Sequence, residues 1–173
     1  LKRKRYFVGL GSNLGDRLAS LRGAVEELAQ IEGVELRACS GVWETRPVGP
    51  GTGAFLNAAV ELRANVEAEA LLEQMLEIEA RHGRVRVQRW GDRTLDLDLL
   101  CGFEADGHEL VIDSDTLTLP HPEMFGRDFV LQPLVELDEG LRVGGQSCAL
   151  ELERLKDEER TLLRRLDAPL CPG

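Results

Sequence analysis

Hydrophobic positions along the first hundred residues change period in a fixed order. Arg5 to Leu10 is aromatic and branched enough for a strand, and Gly11-Ser12-Asn13-Leu14-Gly15-Asp16 then supplies turn formers and a helix start. Leu14, Leu18, Leu21, Val25 and Leu28 recur at three- and four-residue steps, which predicts a helix that stops before Gly33. Val34 to Trp43 alternates in part. A glycine- and proline-rich stretch from Pro47 to Gly53 separates it from another strand-like run, Phe55 to Leu62. Helical spacing returns from Val66 to His82 through Leu71, Leu72, Met75, Leu76 and Ile78, and Gly83 is a natural stop. After a loop rich in arginine, Thr94-Leu95-Asp96-Leu97-Asp98-Leu99-Leu100 alternates with period two.

The predicted order is β-α-β-β-α-β, with two strands in succession and no helix between them. This is the α+β, ferredoxin-like sandwich, in which an antiparallel sheet carries both helices on one face and leaves the other open to host a site. Beyond Cys101 the pattern weakens into a short hairpin around His108 to Leu119, the turn Pro120-His121-Pro122 and an apolar Phe129-Val130-Leu131 segment. The tail, about 149–173, reads as a surface helix between Ala149 and Asp167, rich in Leu, Glu and Arg. With no internal repeat and no linker, the 173 residues are read as a single domain, 1–173, with C-terminal additions.

Composition narrows the class further. Hydrophobic residues at 43% and charged residues at 30% fit a soluble globular protein, and no apolar run reaches the roughly 18 residues of a bilayer span. The formal charge of -10 repels nucleic acid unless basic residues are gathered in one place. The basic run Lys2-Arg3-Lys4-Arg5 precedes too short an apolar stretch to be a signal peptide, so it reads as a solvated tail. The chain beginning at Leu1 is read as trimmed or as part of a longer product, in the cytoplasm. Cys39, Cys101, Cys148 and Cys171 are scattered with no C-x-x-C pair, and are read as free thiols.

Chemistry concentrates around the alternating strand. Side chains two apart in a strand share a face, so Asp96 and Asp98 point together while Leu95, Leu97 and Leu99 point into the core. Two converging carboxylates call for a divalent cation, and oxygen-only donors of this kind suit magnesium, which keeps waters and shares substrate phosphates. Just before them stand Arg84, Arg86, Arg89 and Arg93 with Trp90, and planar guanidinium groups grip phosphate oxygens bidentately. An anion clamp beside a metal strand is what a magnesium-nucleotide site requires. The first glycine cluster, Gly9-x-Gly11-x-x-x-Gly15, is one residue too long for a dinucleotide fingerprint and reads as a tight turn between first strand and first helix. There is no P-loop sequence.

Taken together, Gly11-Ser12-Asn13-Leu14-Gly15, Thr45-x-Pro47-Val48-Gly49, Phe55-Leu56-Asn57-Ala58, Gly83-Arg84-Val85-Arg86, Arg89-Trp90-Gly91-x-Arg93-Thr94-Leu95-Asp96-Leu97-Asp98 and Pro120-His121-Pro122-x-Met124-x-x-Arg127-x-Phe129-Val130-Leu131 resemble the 6-hydroxymethyl-7,8-dihydropterin pyrophosphokinases of the folate pathway. The resemblance covers about residues 6–137. It implies the same ferredoxin-like fold and transfer of pyrophosphate from the co-substrate ATP, as its magnesium complex, to the pterin hydroxymethyl group, with AMP released. Arg84, Arg93, Asp96 and Asp98 match the catalytic positions, with Asp96 and Asp98 holding two Mg2+ ions. Glu79, Arg84, Arg86, Trp90, Arg93, Leu99, Thr118, His121 and Arg127 match places around ATP. Thr45, Val48, Phe55, Asn57, Trp90 and Phe129 match the pterin pocket, where Phe55 and Phe129 would sandwich the flat bicycle. The chain departs from the family pattern at Asp92, at Pro122 and in the loop Pro50 to Ala54. The resemblance implies a monomer whose partners are ATP and reduced pterin, open to fusion or association with other folate-pathway enzymes, with no nucleic acid and no membrane. A ferredoxin-like RNA-binding module is disfavoured by the charge and by the absence of aromatic-rich RNP strands, and a nicotinamide enzyme by the glycine spacing.

Overall fold

The computed structural model describes residues 2–48, 53–83 and 94–171. The first half runs β1 (Lys4–Ser12), α1 (Arg17–Gln30), β2 (Val34–Cys39), β3 (Trp43–Thr45), β4 (Phe55–Ala64), α2 (Ala68–Arg81) and β5 (Asp96–Phe103). The second half adds the hairpin β6 (Ile112–Asp113) and β7 (Thr118–Leu119), helix α3 (Asp128–Leu137), the hairpin β8 (Arg142–Val143) and β9 (Gln146–Ser147), helix α4 (Cys148–Arg154) and strand β10 (Leu162–Arg165). The main sheet has the order β10-β3-β4-β1-β5, with β2 also on β4, and its pairings are antiparallel. The strand expected over Val34 to Trp43 is thus two: β2 pairs with Val60–Ala64 and β3 with Phe55–Asn57, sharing one edge of β4. The ferredoxin-like expectation holds.

Alternation along the strands builds two cores. Tyr6, Val8 and Leu10 of β1, Leu56, Val60 and Leu62 of β4, and Leu97 and Leu99 of β5 face Leu21, Val25 and Leu28 of α1 and Leu71, Met75 and Ile78 of α2. Each large side chain buried there contributes about 1.5–3 kcal/mol. α1 begins where Asp16 accepts the Ala19 N–H at 3.1 Å, after Gly15 has turned the chain at φ 67°. On the opposite face, Phe7, Ala59, Leu100 and Cys101 pack against Met124, Leu131, Leu134 and Cys148. The face expected to be open is therefore half covered by α3 and α4. The uncovered half lies where β1 carries Gly9 and Gly11.

Several local expectations are corrected. The apolar segment Phe129-Val130-Leu131 belongs to α3, which carries Pro133 inside it; apolar burial on both sides of that proline outweighs the missing N–H. The tail is not one surface helix. Its helical parts are the seven residues of α4, capped by Ser147 on the Leu150 N–H, and a 3-10 turn at Asp157–Glu159, after which the chain pairs as β10 with the edge of β3, where ladder bonds replace helical ones. The basic run is not a free tail: Arg5 donates to Glu61 and Asp138, Lys4 pairs with Glu67 and Arg3 with Glu35. Cys39 and Cys171 are not free thiols but a disulfide that ties the C-terminal segment to β2, across a Cα separation of 6.2 Å. Their distance in sequence hid their proximity in space. Cys101 and Cys148 are free and buried; desolvation raises both thiol pKa values, that of Cys148 to about 11, which makes them unreactive. Among the described residues no helix is long and apolar enough to cross a membrane.

Candidate active site

The uncovered half of the sheet is the floor of a cleft that opens to solvent. Register lays this floor in two rows across β4, β1 and β5: Asn57, Gly11 and Asp96 in one, Ala59, Gly9 and Asp98 in the other. Gly9 lies in β1 as expected and Gly11, expected among the turn formers, extends the strand, and their missing side chains keep the centre of each row clear. A Cβ on Gly11 would stand 2.9 Å from Asn57 Oδ1. Sequence reasoning missed both glycines as site residues, although their position opposite the acidic pair was the signal, available once β1 and β5 were paired.

Asp96 and Asp98 both line the cleft, as alternation predicted, while Leu97 between them is buried. Glu79, expected near ATP, lies inside the protein at 2% exposure and accepts the Leu97 N–H at 2.8 Å. It therefore holds the peptide that separates the two acids. Among the described residues there is no group of three or more His, Cys, Asp or Glu placed to hold a metal. Two hard carboxylates at an open cleft nevertheless fit magnesium, which binds through one or two carboxylates and completes its shell with water and phosphate.

The walls come from different parts of the chain. Thr45, Arg46, Val48 and Phe55 line it from β3, the start of β4 and the segment between them, and Arg127, Phe129 and Val130 from the start of α3. Asn57 Nδ2 donates to Thr45 Oγ1 at 2.7 Å, with both residues buried, so the amide is held in one orientation with its oxygen on the Gly11 side. The Arg127 guanidinium sits 5.6 Å from the centre of the Phe129 ring, a cation-π contact, and also donates to Glu123. Thr45, Val48, Phe55, Asn57 and Phe129 are thus brought together, with Arg46 as an unforeseen neighbour.

A second depression lies beside the first, lined by Leu72, Leu97, Asp98, Leu99, Thr116, Leu117, Thr118, His121 and Pro122. Asp98 borders both. His121 is held below the usual histidine range by burial, with the charge of Arg127 adding to it. Its Nδ1 accepts the Glu123 N–H at 3.2 Å, which leaves the proton of the neutral ring on Nε2 as a donor. Leu99, Thr118 and His121 are thereby gathered on one side of the acidic pair. Arg84, Arg86, Trp90 and Arg93, and the neighbouring Arg89, lie outside the described residues, as do Gly49 to Thr52.

Comparison with known proteins gives this geometry a family. The family model for 7,8-dihydro-6-hydroxymethylpterin-pyrophosphokinase (HPPK) matches residues 7–139. The chain belongs to the HPPK family. Among its relatives are proteins named 2-amino-4-hydroxy-6-hydroxymethyldihydropteridine pyrophosphokinase from Synechocystis sp., 43% identical over 75% of this chain and 64% of that one, from Methylorubrum extorquens, 41% identical over 87% and 93%, and from Bacillus subtilis, 40% identical over 87% of each. The chain thus spans just under two thirds of the Synechocystis protein and most of the other two. A crystal structure of an HPPK-DHPS in complex with substrates superposes with a TM-score of 0.67 over 88% of this chain and 43% of that one, at 11% identity, and so supports the fold. The HPPK match takes in β1 to α3 and both depressions; β8, β9, α4 and β10 lie beyond it.

Proposed function

We propose that this HPPK-family chain transfers pyrophosphate from ATP to the hydroxymethyl group of 6-hydroxymethyl-7,8-dihydropterin, releasing AMP. The observation that carries the reading is the acidic pair Asp96 and Asp98 standing between a cleft walled by two aromatic rings and a second depression, all within the family-matched segment. The flat pterin lies between Phe55 and Phe129, and the fixed Asn57 amide offers its oxygen to the polar edge of the ring. Apolar faces with a few convergent polar groups are how such a pocket obtains specificity. ATP occupies the neighbouring depression against Leu99, Thr118 and His121, with the His121 Nε2–H directed to a phosphate oxygen and the triphosphate crossing Asp98.

In this arrangement the pterin hydroxyl oxygen forms a bond to the β-phosphorus. The bond from that phosphorus to the oxygen bridging the α-phosphate breaks, AMP leaves with the bridging oxygen, and the hydroxyl proton passes to solvent. Asp96 and Asp98 would hold magnesium, two ions in this reading, which when bound would neutralise phosphate charge. Glu79 keeps the two carboxylates in register through Leu97. Arg127 supplies a cation at the boundary of the two depressions, and Arg84, Arg86, Trp90 and Arg93 complete the ATP contacts, with Trp90 also touching pterin. Positioning and electrostatics then provide most of the acceleration. The chain acts as a single cytoplasmic catalytic domain, monomeric and able to associate with other folate-pathway enzymes. Incubating it with magnesium and ATP, with and without the pterin, tests the reading: AMP formation that depends on pterin is expected, and AMP formation indifferent to pterin would refute it.

A further inference from the structure

Thr161 lies beyond the family match, yet it bonds to both walls of the cleft. Its carbonyl accepts the backbone N–H of Arg46 at 2.9 Å, and Leu162 beside it pairs with Thr45. The Arg46 side chain adds bonds to the carbonyls of Arg160 and Glu158. In the other direction, the Asp128 carboxylate accepts the N–H of Thr161 at 2.6 Å, the N–H of Leu162 at 3.1 Å and the Thr161 hydroxyl. Asp128 has no exposed surface and stands between Arg127 and Phe129, which line the cleft from the start of α3. A buried charge with these donors is locked in place, because turning away would leave both the carboxylate and the backbone amides unsatisfied.

We propose that Thr161 and Asp128 form a clamp that sets the separation between the Thr45–Arg46 and Arg127–Phe129 walls, making them positioning residues for the pterin. The inference rests on assigning this cleft to the pterin. Neither residue touches the cleft's contents; each acts through its neighbour. The lever is short, since Asp128 is one residue from Phe129 and Thr161 one hydrogen bond from Arg46. The second depression, built on β5, β7 and the His121 turn, meets the clamp only through Arg127, whose charge reaches His121. Loosening the clamp therefore separates the two substrates kinetically: pterin binding suffers more than ATP binding.

The test uses the full chain as Thr161→Val, which removes the hydroxyl and keeps the backbone, Thr161→Ser, which restores the hydroxyl, and Asp128→Ala. The KM values for pterin and ATP are measured beside thermal melting. Thr161→Val is expected to raise the pterin KM about fivefold, the loss expected of one misplaced contact, with the ATP KM within about twofold and Thr161→Ser close to wild type. Asp128→Ala is expected to exceed Thr161→Val in the same direction, and if it fails to fold, the Thr161 pair decides. An unchanged pterin KM in Thr161→Val, or equal rises for both substrates with a lowered melting temperature, overturns the clamp while leaving the functional reading intact. A wild-type chain that forms no AMP in response to pterin overturns that reading, and the clamp with it.

Discussion

Replacing Gly11 by alanine tests whether the cleft floor is shaped for its occupant. The new Cβ would lie 2.9 Å from Asn57 Oδ1, inside the closest approach such atoms tolerate. Gly11 sits in β1 between Asn57 and Asp96, so the backbone has little room to retreat. The Asn57 amide must turn or shift, and its 2.7 Å bond to Thr45 is weakened. Losing one such bond costs about 1 kcal/mol, or roughly a fivefold change in an equilibrium constant. Alanine in a strand interior meanwhile regains about 0.5–1 kcal/mol of backbone entropy, so overall stability should move little. The expected outcome is a pterin KM raised about fivefold with the ATP KM and melting temperature nearly unchanged. Steady-state kinetics with each substrate varied in turn, beside a thermal melt, would show it. A pterin KM equal to wild type would refute the placement of Asn57 in the pterin subsite.

Two further outcomes follow from the same geometry. Glu79→Ala removes the buried acceptor of the Leu97 N–H, so chemical denaturation should show a loss of about 1–3 kcal/mol, and the magnesium concentration for half-maximal activity should rise; Glu79→Gln, which keeps an acceptor, should fall between. Reducing the Cys39–Cys171 disulfide, or replacing Cys39 by serine, should lower the melting temperature because the bond closes a loop of 132 residues, worth up to about 5 kcal/mol, while leaving kcat unchanged because neither cysteine lines the cleft.

Much of this fold was legible because period and turn chemistry agreed: the switch from Val8 and Leu10 to Leu21, Val25 and Leu28, and back to Leu97 and Leu99, traced the βαββαβ order directly. The convergence of Asp96 and Asp98 needed only strand alternation. What sequence could not supply was long-range pairing. Gly11 looked like a turn residue, and neither it nor Gly9 looked like part of a site, because their partners, Asn57 and Ala59 on one side and Asp96 and Asp98 on the other, are set by register. β10 looked helical because Leu, Glu and Arg favour helices locally, while the free edge of β3 that captured it lies more than a hundred residues earlier. In α3 the local breaker Pro133 is overruled by burial. The Asp128–Thr161 contact and the Cys39–Cys171 bond were hidden in the same way, since nothing local marks either partner.

The central claim is that Asp96 and Asp98 form the magnesium-binding strand of a pyrophosphokinase, and the most direct measurement is pterin-dependent AMP release from wild type, Asp96→Asn and Asp98→Asn across a magnesium titration, with folding checked by circular dichroism. The account predicts that each variant keeps its fold and loses at least about a hundredfold in kcat, because metal neutralisation is worth several kcal/mol and each 1.4 kcal/mol or so is tenfold. Variants that fold and retain activity within about tenfold of wild type at the same magnesium concentration would contradict it.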